Sequence, residues 1–343
     1  MPEEKRQYRR RLCLNILAQS ENPMGATRIA AEFSNFGIDI SDRTVRLLLA
    51  DLDKEGLTEN LGRRGRRLTP KGSEAASRHL SASLRGFVSV KAQTLASQMT
   101  FSLSRRRGTI IINISFLPAR FMSKAVEEIV RAFKAGISFG ELIAIGKPGE
   151  TIAGQQVPED HYAIGTVCGI TANGIFLQAG IPTVSTFGGL LEIQDNRPRH
   201  FQHIIHYNGT TIDPLEIFMR GEMTSVGQVA RGKPGLIGAG FREIPASCLP
   251  KIQRFQEHLN KAKLKGIIAI GKPGHPLAST PVTPGMVGVI VQAGLNPIAA
   301  AQERHIPIKS FAMSRLYPYE KLVHYTALNK LLIYGGINTC PKP

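Results

Sequence analysis

Apolar residues fall at helical spacing three times within the first eighty positions. Leu12, Ile16 and Leu17 follow a charged leader and predict an amphipathic helix over 6–19. Ile29, Ala30 and Phe33 predict a second helix over 25–36, closed by Gly37. Val45, Leu48, Leu49 and Leu52 predict a third over 42–55. Ser41 stands where its hydroxyl would accept an orphan backbone N–H of that third helix, and Gly56 supplies its stop. The following stretch, LTENLGRRGRRLTPKG, reads as two short strands about a Gly62-Arg63-Arg64-Gly65 tip. Three helices followed by a basic hairpin is the order of a winged helix-turn-helix. In that geometry the third helix enters the major groove by its N-terminal end, which brings Ser41, Arg43, Thr44 and Arg46 toward bases or phosphates. Arg63, Arg64, Arg66 and Arg67 suit the neighbouring backbone or minor groove. A wing used for RNA or protein contacts is the alternative.

The rest of the chain repeats itself. IAIGKPG occurs unchanged at 143–149 and 268–274. Upstream, GTIIINISFLPA (108–119) aligns with GLIGAGFREIPA (235–246), and a helix-like stretch follows each. Downstream, GIFLQAGIPTVS (174–185) is set against GVIVQAGLNPIA (288–299) through a shared Gln-Ala-Gly, and His-Tyr pairs at 206–207 and 324–325 close the copies. The period is far longer than that of solenoid repeats, so the pattern is a single duplication. The predicted fold is α+β. A winged helix-turn-helix over 1–82 precedes a duplicated α/β domain over 83–343, with repeats at about 84–210 and 211–343. Paired units of this kind commonly enclose a cleft, the default place for a ligand.

Charge sharpens this picture. Lys and Arg number 43 against 26 Asp and Glu, giving a formal +17. Residues 1–80 hold 15 basic and 11 acidic side chains, and residues 81–343 hold 28 and 15. Such a field attracts polyanions and small acids. The longest apolar runs are far short of the roughly 20 residues a membrane span needs. The leader MPEEKRQYRRRL carries no secretory h-region, so a cytoplasmic protein is expected, without membrane partners. Cys13, Cys168, Cys248 and Cys340 lie far apart with no ligand spacing, which predicts reduced thiols and no metal site.

Catalytic patterns are missing from the sequence. Gly-Lys-Pro-Gly is not a phosphate loop, since Pro148 and Pro273 stand where the magnesium-binding hydroxyl belongs. It reads either as a tight turn or as an anion nest with Lys147 and Lys272 as anchors. TFGGLLEI lacks the serine of a nucleophile elbow, and His203 and His206 sit in an alternating run that predicts a strand. For a small acidic metabolite the candidate donors are Arg120, Lys147, Arg242 and Lys272, with Thr100, Thr224 and Ser225. No cofactor or catalytic residue is expected, and the chain is read as a non-enzyme. An enzyme or RNA-binding protein that uses the winged helix as a tether is the alternative.

RGFVSVKAQTLASQMTF (85–101), GTIIINIS, IAIGKPG, GGLLEIQDNRPRHFQHIIHYNGTTIDPLEIFMRGEMTSV (188–226) and REIPA resemble the regulatory domain of the archaeal nitrogen-regulation repressors, NrpR. The winged helix with its GRRGRRLTPKG wing is similar too. This resemblance implies a transcriptional repressor that binds double-stranded operator DNA as a homodimer or higher homo-oligomer. It also implies 2-oxoglutarate as the effector that releases the DNA.

Overall fold

In a computed structural model the chain divides into two compact units, Met1–Gly86 and Phe87–Pro343. The structure describes residues 3–18, 20, 22–34, 38–79 and 87–334. The first unit contains α1 (Glu3–Ala18), α2 (Ala26–Ser34), α3 (Asp42–Lys54), β1 (Thr58–Asn60), β2 (Arg66–Leu68) and α4 (Pro70–His79). The three helices form where the apolar spacing predicts them; Gly37 lies outside the described residues. Leu12, Ile29, Phe33, Val45, Leu49 and Leu52 are buried together. Each such side chain contributes about 1.5–3 kcal/mol. This packing holds the nine-residue α2, which is too short to persist alone. β1 and β2 pair antiparallel with Thr58 opposite Leu68, and Met24 adds a bridge to Arg66. Gly65 must be glycine: its φ is +97°, and a Cβ there would meet the Met24 carbonyl carbon at 2.3 Å.

The second unit opens with α5 (Val88–Gln98), β3 (Thr109–Pro118), α6 (Met122–Lys134) and β4 (Leu142–Gly146). A small hairpin, β5 (Thr151–Ile152) and β6 (Gln155–Gln156), leads to β7 (His161–Val167), α7 (Thr171–Gln178), β8 (Val184–Gln194) and β9 (Arg197–His206). Two short helices, α8 (Pro214–Arg220) and α9 (Val226–Val229), connect to the second copy. That copy contains β10 (Gly235–Pro245), α10 (Leu249–Lys261), β11 (Ile267–Ile270), β12 (Met286–Gln292), α11 (Asn296–Gln302), β13 (Lys309–Pro318), β14 (Val323–His324) and α12 (Ala327–Tyr334).

The copies are not separate bodies. One five-stranded sheet runs β13-β3-β7-β4-β14 and the other β11-β12-β10-β8-β9. Each copy builds a three-stranded core and sends a later strand into the other sheet, β8 beside β10 and β13 beside β3. All pairings are antiparallel, so the unit is α+β. Two cores result, and each draws on both copies. Val126 and Ile129 of α6 pack with Ile298 of α11 and Phe241 of β10. Ile112 and Ile114 of β3 pack with Phe176 of α7, Leu259 of α10 and Val289 of β12.

The shared Gln-Ala-Gly does not mark equivalent places. Gln178 ends helix α7, whereas Gln292 ends strand β12. The expected alignment of 174–185 with 288–299 is therefore corrected: α7 corresponds to α11 and β7 to β12. Three-residue identity within apolar segments is too short to set a register. The first residues of the two helices show the true correspondence. Thr171 Oγ1 exchanges hydrogen bonds with the N–H and C=O of Ile111, and the Asn296 side chain does the same with Gly238.

Candidate functional site

The N-terminal end of α3 carries Ser41, Arg43, Thr44 and Arg46, the residues expected to face nucleic acid. Ser41 caps the helix by accepting the Thr44 N–H at 3.3 Å, and its hydroxyl lies 2.9 Å from that of Thr44. Both hydroxyls thus serve the helix end first. Arg43 and Arg46 are exposed, with Arg46 only 3.9 Å from Asp42. At the wing, Arg63 and Arg64 occupy a single exposed turn between the strands. Arg66 differs from them. Its Nε donates to Asp53 at 2.9 Å, and the other oxygen of Asp53 accepts from Thr58. Arg66 therefore ties the wing to α3. Arg67 pairs across the hairpin with Glu59 at 2.8 Å and stays exposed.

In the second unit the decisive residue is Arg242. It lies on β10, only 2% exposed, just past an irregularity in the pairing with β8 between Phe241 and Arg242. Such a bulge re-aims the side chain that follows it. Its Nε donates to Asn173 at 2.7 Å, and Asn173 in turn donates to Ser185. Nη1 and Nη2 reach the carbonyls of Gly240 and Gly169 at 3.3 and 3.1 Å. Among the described residues no carboxylate forms an ion pair with it. Burial pushes the guanidinium below its ordinary value.

Arg242 borders a cavity of about 40 Å³ that Cys168, Tyr207 and Asp213 also line. Glycines keep its walls bare. Gly188 and Gly240 face each other across β8 and β10, and a Cβ on either would press on the Tyr207 hydroxyl at about 3 Å. A Cβ on Gly294 would collide with the Val167 carbonyl oxygen at 1.8 Å. Asn113 holds the far side, accepting the Met313 N–H at 3.0 Å and donating to Thr166. Met313 has φ +46°, in a bulge where β13 crosses over β3. Asp213 caps α8 by accepting the Leu215 N–H, and burial, with Glu216 nearby, pushes its carboxyl up to about 6. Burial pushes the Cys168 thiol up to about 12, so it stays protonated.

Arg242 is the one residue of the sequence-derived effector set that lines this cavity. Thr100 pairs with Thr109, and exposed Arg120 lies over the Phe121 ring. Thr224 donates to Glu303, and Ser225 accepts the Leu236 N–H. Lys147 and Lys272 begin turns in which the N–H of the fourth residue bonds back to the lysine carbonyl, with Gly149 and Gly274 at positive φ. Pro followed by a positive-φ Gly is ordinary turn chemistry. The glycine amides are engaged by Val157 and Met286, so they form no anion nest. Asn173, Tyr207 and Asp213 escape sequence reasoning because no motif marks them. The hint in the sequence is the glycine pairing at 188–189 and 240.

Among the described residues no group of His, Cys, Asp and Glu is placed to hold a metal, and no helix is long and apolar enough to cross a membrane.

Residues 86–324 match the family described as NrpR regulatory domains NRD1 and 2, and residues 12–75 match the ribonuclease R winged-helix domain. The chain is 32% identical to a global nitrogen regulator NrpRI from Methanosarcina mazei, over 90% of this chain and 95% of that one. It is 31% identical to a global nitrogen regulator NrpR from Methanococcus maripaludis, over 84% of this chain and 50% of that longer relative. A crystal structure of a nitrogen repressor-like protein from Methanococcus jannaschii superposes with a TM-score of 0.59 at 28% identity, covering 70% of this chain and 98% of that one. These relatives are named as regulators, not enzymes. The chain belongs to the NrpR family of global nitrogen regulators.

Proposed function

We propose that this chain is a ligand-responsive transcriptional repressor of the cytoplasm. Residues 1–82 read operator DNA, and residues 83–343, in a homodimer or higher homo-oligomer, sense a small acidic metabolite. 2-Oxoglutarate is the metabolite that the family resemblance implies. The observation that carries this reading is Arg242, a buried cation without an acidic partner among the described residues, set in a glycine-walled cavity. Removing a charge from water costs several kcal/mol unless something offsets it. A ligand carboxylate meeting the guanidinium would do so through charge-assisted hydrogen bonds.

The cavity's size supports coupling between binding and movement. About 40 Å³ is room for a few waters, at about 10–15 Å³ of such space each. A dicarboxylate exceeds that space, so its binding would shift the lining, which includes β8 and β10, strands that belong to different copies. Such a shift would change the spacing of two winged helices in a dimer, and both half-sites must be met at a fixed separation.

The test is fluorescence anisotropy on a duplex from the adjoining promoter, at fixed salt, with an unrelated duplex as control. Promoter-selective binding released by 2-oxoglutarate is the expected result. Selective binding indifferent to 2-oxoglutarate would reject that effector and keep the regulator. Equal binding to both duplexes would reject the operator reading.

A further inference from the structure

A second concentration of cations lies at one corner of the regulatory unit, on residues that do not line the cavity. The turn before β3 carries Arg105, Arg106 and Arg107, all exposed. The end of α10 and the turn after it carry Lys261, Lys263 and Lys265, exposed in alternation with buried Ala262 and Leu264. Tyr319 joins the two turns: its N–H donates to the Gly108 carbonyl and its hydroxyl to the Ala262 carbonyl at 2.9 Å. Exposed Lys321 follows two residues later. The acids at this corner are Glu320, 3.6 Å from Arg107, and Glu141, 3.4 Å from Lys265. Arg105, Arg106, Lys261, Lys263 and Lys321 have no ion pair among the described residues.

The duplication supplies an internal control. The first copy ends its equivalent helix with Lys134-Ala135-Gly136-Ile137-Ser138, against Lys261-Ala262-Lys263-Leu264-Lys265 in the second. The backbone is the same in both. Ala135 and Ala262 cap the helices, and Ile137 and Leu264 donate back to Ala132 and Leu259. Gly136 takes φ +70°, as glycine does freely at this place; Lys263 takes φ +53°, where a Cβ is crowded. The second copy thus holds a lysine where the fold prefers glycine, and an exposed Lys265 where the first has the buried Ser138. The first of these changes carries a backbone cost. Both add positive charge to the corner that already holds the arginine turn.

We propose that this corner binds the phosphate backbone of duplex DNA, so that the regulatory unit itself adds a sequence-independent contact to those of the winged helix. This rests on the reading that the chain binds DNA. A row of exposed cations with few acids suits phosphates, whose neutralisation releases counterions and steepens the salt dependence. No base-reading element is present at the corner, so the contact strengthens binding to all sequences alike.

The experiment measures log K against log salt concentration for the full-length protein on promoter and unrelated duplexes. Lys263→Gly is the central variant, because glycine suits the backbone there and the protein should fold at least as well. The slope should become shallower by roughly 0.9 for each phosphate left without its cation, equally on both duplexes. Combining it with Arg105→Ser and Arg106→Ser should shallow the slope further. Lys263→Arg should keep the wild-type slope. Lys272→Gln, which removes one exposed charge elsewhere in the unit, should also keep it. Unchanged slopes in the Lys263→Gly and combined variants, with Arg63→Ala and Arg64→Ala still shallowing theirs, would overturn the corner and leave the regulator standing. An effect seen only with RNA would overturn it as well. A wild-type protein that binds no duplex would sink both readings.

Discussion

A single side chain bears most of the ligand reading, and its burial makes that reading testable. Arg242→Met removes the desolvated charge but leaves the Asn173 side-chain oxygen and the Gly169 and Gly240 carbonyls without their donor, and an unsatisfied buried acceptor costs about 1–3 kcal/mol. Arg242→Met should therefore lower the apo protein's melting temperature while abolishing the stabilisation expected from 2-oxoglutarate in the wild type. Calorimetry with and without the metabolite reads both quantities, and a retained ligand shift would remove Arg242 from the site. Asp213 gives a second handle. Its carboxyl is pushed up to about 6, so the folded chain holds that proton more tightly than the unfolded one. The contribution to stability is then full below its ordinary value of 3.8 and is lost as pH rises through about 6. Asparagine can cap α8 equally well and does not ionise. Asp213→Asn should remove up to about 3 kcal/mol of the decline in stability between about pH 4 and pH 7, as followed by urea unfolding. A pH profile parallel to wild type would show that the carboxyl titrates normally.

Elements are legible where one residue's periodicity or cap decides them. Ser41→Ala removes the cap of α3 and should cost about 1 kcal/mol of stability in the winged helix, measured by urea unfolding; no loss would mean that Thr44 or water replaces it. The same local logic gives a strand through Phe201, Ile204 and Ile205 from their alternation, and it leaves GKPG open between a turn and an anion nest until the structure shows the turn. It fails for the cavity. Charge alone places Arg242 among the candidate donors, and nothing local distinguishes it from Lys147 or Lys272, which merely open turns. What sets it apart is a bulge on β10, bare glycines on β8 and an asparagine on α7, and these meet only through strand pairing between copies. Arg66 shows the reverse case. A run of arginines reads as uniform charge, yet Asp53, thirteen residues away, draws one of them into the fold.

At the scale of the whole molecule, exchange of strands between the copies makes the regulatory unit one cooperative body despite its duplicated sequence. Without the second copy, β3 loses β13 along one edge and its Ile112 and Ile114 lose Val289 and Leu259. Without the first, β10 loses β8 along nine paired positions. Each half would then expose one unpaired edge of a central strand and half a core, a state that burial and backbone pairing both oppose. The fragments 1–210 and 211–343 should each show no hydrogen-exchange protection at 110–114 or 237–241 when expressed alone. Mixed or co-expressed, they should regain protection in both segments together. Protection in one isolated half would mean that a single copy folds by itself, and the cavity would then be a joint between independent bodies. If protection returns only on mixing, Arg242 sits where neither copy can move without disturbing the other's sheet, and a metabolite lodged there acts on the whole unit at once.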